Sequence, residues 1–98
     1  MKTYDVTVAG GGLIGASIAL ELACAGLQVA VFDAQKPGRE ASWASAGMIS
    51  PSPESAAMAS LLPISLASVA IYPAFIRRVE ELSGRPVGYR KDGGLDII

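Results

Sequence analysis

The chain opens with segments whose apolar residues are spaced in different ways. Asp5-Val6-Thr7-Val8-Ala9 is a short, apolar, β-branched run that predicts a strand. From Leu13 to about Ala25 the spacing becomes helical. Ile14, Ile18, Leu22 and Ala25 recur at intervals of four and three, a stripe suited to lie on a sheet, and Ala16, Ala19 and Ala23 permit close approach. Gly26 is placed to end this helix as the first residue past its cap. Val29-Ala30-Val31-Phe32 then returns to a strand-like run, closed by Asp33. Strand, helix and strand in this order predict a βαβ unit with parallel strands.

Beyond Asp33 the pattern changes. From Ala34 to Leu62 no run has strand-like periodicity, and Ile64 to Leu82 reads as helix interrupted at Pro73, a kink or two helices meeting. Its candidate buried positions are Leu66, Val69, Ala70, Phe75, Ile76, Val79 and Leu82, while Arg77, Arg78, Glu80 and Glu81 read as a solvated face. Ser83-Gly84 followed by Pro86 is a stop signal. Gly93-Gly94-Leu95-Asp96-Ile97-Ile98 looks like a turn entering a third strand that is cut off. A doubly wound sheet needs more strands than these, so residues 1–98 are expected to be a fragment of a larger protein, with an open sheet edge that makes the isolated piece marginal.

Between the first strand and the helix lies Gly10-Gly11-Gly12-Leu13-Ile14-Gly15, a Gly-x-Gly-x-x-Gly hexamer. Alone, such a hexamer is equally a plain Gly-rich turn. Here a strand precedes it, a helix follows it, and an acidic residue, Asp33, closes the next strand about twenty positions on, which together mark a dinucleotide-binding unit. Gly10 allows the tight turn out of the strand, Gly12 lets the backbone approach a pyrophosphate, and Gly15 lets the helix pack close to the sheet. Unpaired N–H groups at the helix N-terminus favour an anion without Lys or Arg, and the loop has neither. The carboxylate of Asp33 suits ribose hydroxyls and repels a 2′-phosphate, an exclusion that Lys36 weakens slightly.

Composition excludes several classes. Net charge is −1 with 51% hydrophobic residues, and no basic run suggests nucleic acid. There is no histidine and one cysteine, so neither a zinc site, a His-based triad nor an internal disulfide is available. Cys24 reads as a buried structural thiol. A secretory signal or membrane anchor over the first helix is opposed by Asp5 before it, the glycines within it and Glu21 at its centre, and Glu21 also argues against a lipoprotein site at Cys24. A cytoplasmic protein with no membrane partner is expected.

After the second strand comes a segment of small residues, Arg39-Glu40-Ala41-Ser42-Trp43-Ala44-Ser45-Ala46-Gly47-Met48-Ile49. It reads either as a flexible surface loop or as the second half of a flavin cradle, in which backbone N–H groups approach a flat ligand and Ser42 or Ser45 bonds a phosphate or ribityl hydroxyl. With the hexamer and Asp33, this segment resembles the FAD-dependent D-amino acid oxidase superfamily, most closely the glycine oxidases of thiamine biosynthesis. Leu66-Ala67-Ser68, Tyr72-Pro73-Ala74-Phe75, Glu80-Glu81-Leu82-Ser83-Gly84, Gly88-Tyr89-Arg90 and Gly93-Gly94-Leu95 are similar to the corresponding downstream stretches of that family.

The resemblance implies an α/β fold, a Rossmann-like FAD/NAD(P)-binding domain of which residues 1–98 supply the N-terminal, incomplete part of a parallel sheet with helices. It implies that Gly10, Gly12, Leu13, Ile14 and Gly15 hold the pyrophosphate of FAD and that Asp33 and Ala34 hold the adenosine ribose. Ala41 and Ser42 would lie along the phosphate and ribityl chain, and Ala46, Gly47 and Met48 beneath the isoalloxazine. Relatives often carry Glu where Asp33 stands, and Trp43 is bulkier than its usual counterpart, with core packing its expected role. The implied chemistry is oxidation of glycine or another small amino acid or amine with release of hydrogen peroxide. No catalytic residue is expected in this chain, Arg39 and Arg90 included, since the substrate site would lie beyond Ile98. The alternatives are a sarcosine oxidase-like enzyme, a D-amino acid dehydrogenase of the same superfamily, or a non-catalytic dinucleotide-binding remnant. The full-length form is a possible homo-oligomer.

Overall fold

The β-branched runs form two strands, β1 (Val6–Ala9) and β2 (Val29–Phe32). They pair in parallel, with Val6 opposite Val29, Thr7 opposite Ala30, Val8 opposite Val31 and Ala9 opposite Phe32. Parallel neighbours require a crossover, which helix α1 (Leu13–Cys24) supplies. The structure, a computed structural model, describes residues 2–39, 44, 47–51 and 56–93, and the chain divides into two compact units, Met1–Met48 and Ile49–Ile98.

In the first unit both ends of the strand pair are tied. The Asp5 N–H donates to the Gln28 carbonyl at 2.8 Å, and the Gln28 N–H donates back to Asp5 Oδ2, also at 2.8 Å. At the other end the Gly10 N–H donates to the Phe32 carbonyl at 2.6 Å, extending the ladder one residue past β1. Helix α1 stops where the sequence predicts. Gly26 takes φ 92°, its N–H donates to the Ala23 carbonyl at 3.0 Å and the Leu27 N–H donates to the Leu22 carbonyl at 3.1 Å, the paired bonds of a Schellman ending.

The face that α1 turns inward differs from the expected stripe. Ala19 is buried and Gly12, Gly15, Leu20 and Leu22 are half-buried, whereas Ile14 is 77% exposed and Ile18 49%. Of the expected stripe only Leu22 turns inward, while of the three alanines expected to permit close approach Ala19 is buried and Ala16 and Ala23 are exposed. The reason is that apolar residues lie nearly all round α1, Ser17 and Glu21 apart, so periodicity selects no face, and the close contact at Gly15 sets which side meets the strands. Cys24, expected to be buried, is exposed.

In the second unit a 3-10 helix (Ala56–Leu61) leads into helix α2 (Leu62–Ser83), with Pro63 in the first turn, where its missing N–H costs nothing. Of the two outcomes expected at Pro73, two separate helices do not form, since α2 runs through it as one helix. Aromatic contacts span the proline: Tyr72 and Phe75 lie 6.0 Å apart between ring centroids, and Tyr72 also packs on Tyr89 at 5.4 Å. Gly84, with φ 69°, ends the helix, its N–H donating to the Glu80 carbonyl at 2.9 Å. Of the seven candidate core positions, Ile76 is buried, Val69, Phe75 and Val79 are half-buried, and Leu66, Ala70 and Leu82 are exposed.

The charged cluster after Ile76 is less solvated than predicted. The Arg78 guanidinium stands 5.8 Å over the Phe75 ring, and Glu80 Oε2 accepts the Val87 N–H at 3.1 Å, drawing the segment after Gly84 back along α2. Met58–Ser83 is, by length and composition, apolar enough to cross a membrane, with a mean hydropathy of 1.8. Among the described residues between Ala34 and Leu62 there is no strand, as predicted, and the expected strand from Gly94 onward lies outside the described residues.

Candidate functional site

The C-terminal ends of β1 and β2 and the N-terminus of α1 meet at the glycine loop. Each glycine there answers to a different constraint. Gly10 has φ 101°, a conformation open to few side chains, so the turn out of β1 needs a glycine. At Gly15 an added Cβ would collide with the Gly10 carbonyl oxygen and approach Val8 Cγ1 to 3.4 Å, so the helix can seat itself only if this position is bare. Gly12 is unlike both: its φ of −74° is ordinary, and a Cβ added there meets nothing within 4 Å among the described residues. Neither backbone strain nor a described neighbour demands glycine at this position. What remains is open space in front of the helix, of the kind a pyrophosphate would fill.

The electrostatics of that space suit an anion. Gly12 is the N-cap of α1 and no side chain caps the first turn, so its N–H groups are left to face outward. The end of a helix dipole adds roughly half a positive charge. Leu13 and Ile14, the next two predicted loop residues, are 57% and 77% exposed at the start of the helix.

Asp33 stands at the end of β2 beside this loop. Its Oδ1 accepts the Gln35 N–H at 3.0 Å and its Oδ2 accepts the Gly11 N–H at 2.8 Å. These backbone donors, Gln35 first and Gly11 next, hold the carboxyl below the ordinary value of 3.8, against a smaller opposing effect of burial. The acid therefore stays ionised, each oxygen anchored by one bond and retaining acceptor capacity. Ala34, beside it, is exposed.

The remaining predicted contacts are less well connected. Ala41, Ser42 and Ala46, like Trp43, lie outside the described residues. Gly47 has φ 76° and Met48 is 89% exposed. Sequence reasoning missed Gly11, which is buried and lies between Asp33 and Pro37. The hexamer treats its position as variable, and only the Pro37-Gly38 turn signal hinted that chain returns over it. Among the described residues no group of three or more His, Cys, Asp or Glu could hold a metal.

A parallel βαβ unit with an open helix N-terminus and an acid closing the second strand defines the class: a nucleotide-binding domain of Rossmann type. The model of the DAO family, FAD dependent oxidoreductase, matches residues 5–98, and the chain belongs to that family. It is 39% identical over 94 residues to the glycine oxidase of Geobacillus kaustophilus, covering 96% of this chain and 25% of that protein. The crystal structure of glycine oxidase from Geobacillus kaustophilus superposes with a TM-score of 0.80 at 40% identity, covering 87% of this chain and 23% of the other. Over a shorter stretch of 48 residues, 48% of this chain and 11% of the relative, the chain is 56% identical to hydrogen cyanide synthase subunit HcnC of Pseudomonas protegens. The chain thus spans about a quarter of the length of the glycine oxidase it matches. The cofactor of the family is FAD, and the open position at Gly12 fits its pyrophosphate.

Proposed function

We propose that this chain is the FAD-holding part of an amino acid oxidase, one that deaminates glycine or another small amino acid to the imino or keto acid, ammonia and hydrogen peroxide. The cytoplasm and thiamine biosynthesis are the proposed setting. The observation that carries the reading is the open position at Gly12, in front of an uncapped helix N-terminus and next to an ionised, backbone-anchored acid. Within the proposal, Gly10, Gly12, Leu13, Ile14 and Gly15 surround the pyrophosphate through backbone N–H groups. Asp33 accepts hydrogen bonds from the adenosine ribose, with Ala34 alongside, and Ala41, Ser42, Ala46, Gly47 and Met48 line the remainder of the cofactor. Bound FAD supplies the redox chemistry, uptake of hydride from the α-carbon of an amine and delivery of the electrons to oxygen. No residue of this chain is assigned a catalytic role, and the substrate is left to segments that the longer relatives possess.

The test is to purify the protein from its full reading frame, record its visible spectrum, and assay peroxide with glycine, sarcosine and D-alanine. A yellow protein that forms peroxide with one of them is expected. A colourless protein that takes up no FAD sinks the cofactor assignment, and a flavoprotein that makes no peroxide with any of the three sinks the oxidase assignment. Residues 1–98 alone are expected to be inactive, which peroxide formation by the isolated chain would overturn.

A second reading is a dehydrogenase of the same superfamily that delivers electrons to a membrane quinone. The apolar stretch Met58–Ser83 is the observation on its side. Membrane fractionation separates the two: recovery in the soluble fraction favours the oxidase, and recovery with membranes together with quinone reduction favours the dehydrogenase.

A further inference from the structure

Position 11 is glycine for a reason that the loop motif does not contain. Gly11 has no positive φ, so its backbone is open to other residues. Its surroundings are not. A Cβ added at Gly11 would lie 3.1 Å from Pro37 Cβ, 3.3 Å from Asp33 Oδ2 and 3.5 Å from Pro37 Cγ. The first two distances are inside ordinary contact, roughly 3.5–4.0 Å between carbons. Pro37 cannot swing aside as a flexible side chain would, because its ring is closed onto the backbone. The Gly11 N–H also donates to the same Asp33 Oδ2 at 2.8 Å. Position 11 is therefore closed in by Pro37 and by Asp33, and its N–H is bonded to the latter.

We propose that Gly11 is a specificity-determining residue of the nucleotide site: the bare backbone at position 11, bonded to Asp33 and backed by Pro37, keeps the Asp33 carboxylate in place, and so sets the preference for a ribose with a free 2′-hydroxyl. This rests on the reading of the loop as an FAD site. The Gly11 and Gln35 N–H groups each bond one carboxylate oxygen, and the Ala34 N–H acts on the same carboxyl. A carboxylate has about four acceptor sites, so capacity is left for a ribose hydroxyl. A methyl group at position 11 pushes the carboxylate and the Pro37 turn apart by a few tenths of an ångström, and both the Gly11 bond and the ribose geometry degrade together. Gly11 is a positioning residue in this scheme, since it acts through Asp33 and need not touch the ribose.

The test uses the full-length protein, stripped of flavin, and two readouts. Calorimetric titration with ADP and with 2′-deoxy-ADP measures the ribose preference, and carbon NMR of the Asp33 carboxyl measures its titration without any ligand. The parent is expected to favour ADP about ten-fold, the value of one hydrogen bond to a charged group. Gly11→Ala should narrow that ratio to within about two-fold and raise the Asp33 carboxyl toward 3.8. The double variant Gly11→Ala, Pro37→Gly removes the opposing Cβ at position 37 and should recover both in part, since the new Cβ still stands 3.3 Å from Asp33 Oδ2. A Gly11→Ala protein that keeps the parent's nucleotide ratio and the parent's Asp33 titration overturns the proposal. A parent that binds neither nucleotide overturns the FAD reading instead; the Asp33 titration of Gly11→Ala then still decides whether Gly11 places the carboxylate.

Discussion

Substituting Gly12 and Gly15 by alanine separates space kept for a ligand from space kept for the fold. At Gly12 two small effects oppose each other. Alanine lowers the entropy of the unfolded chain, a gain of about 0.4–1 kcal/mol where the native φ is acceptable, as −74° is. Alanine is also the poorer N-cap, at a cost of about 0.5–1 kcal/mol. With nothing among the described residues within 4 Å of the new Cβ, no steric cost arises from them, so the net change in stability lies within about 0.5 kcal/mol of zero. Gly15→Ala has the same chemistry and the opposite outcome. Its Cβ meets the Gly10 carbonyl oxygen, a backbone atom tied by the neighbouring Gly10 N–H bond to Phe32, so α1 must lift from the sheet. Overpacking of this kind costs about 1–3 kcal/mol, more than the gain of up to about 1 kcal/mol in helix propensity. Urea unfolding of flavin-free full-length protein gives both stabilities, and fluorescence titration with FAD gives the affinities. Gly12→Ala should retain the parent's midpoint and lose FAD affinity by at least about ten-fold, one mispositioned phosphate contact being worth about 1.5 kcal/mol. The reasoning fails if Gly12→Ala unfolds more than about 1 kcal/mol more readily than the parent, or if it binds FAD undiminished.

Three other outcomes are expected. Because the folded-state pKa of Asp33 is lowered, its contribution is fully present above the unfolded value and is lost as pH falls through the folded one; the stability difference between the parent and Asp33→Asn should be level from about pH 5 to 8 and shrink below 3.8, as denaturant midpoints across pH will register. Gly26→Ala forces a Cβ into φ 92° and should cost about 1–2 kcal/mol in a urea melt, with Gly26→Asn milder than Gly26→Ala. Pro73→Ala returns an N–H to the middle of α2 and should raise stability by up to about 3 kcal/mol; a lower midpoint would mean that the proline ring's packing in the groove with Ile76 and Tyr89 outweighs the missing bond.

The βαβ unit was legible in the sequence because everything that specifies it is local. Strand and helix are set by spacing within a few residues, the end of α1 by a glycine that must take a positive φ at position 26, and Asp33 is located by its place at the end of a strand. The end of α2 at Gly84 was legible for the same reason. Tertiary structure decided which face of α1 meets the sheet, because a helix with apolar residues nearly all round it contains little signal for it, and the contact at Gly15 sets the side that packs. It also decided that α2 continues through Pro73, where aromatic contacts bridge the lost bond, and that Arg78 and Glu80 are engaged rather than solvated. Gly11 is the clearest case. Nothing adjacent to it in the chain requires glycine; Pro37 and Asp33 do, and they come within reach only after the crossover brings β2 beside β1. Local rules act over a turn of backbone, whereas steric exclusion between remote residues exists only once the chain has folded.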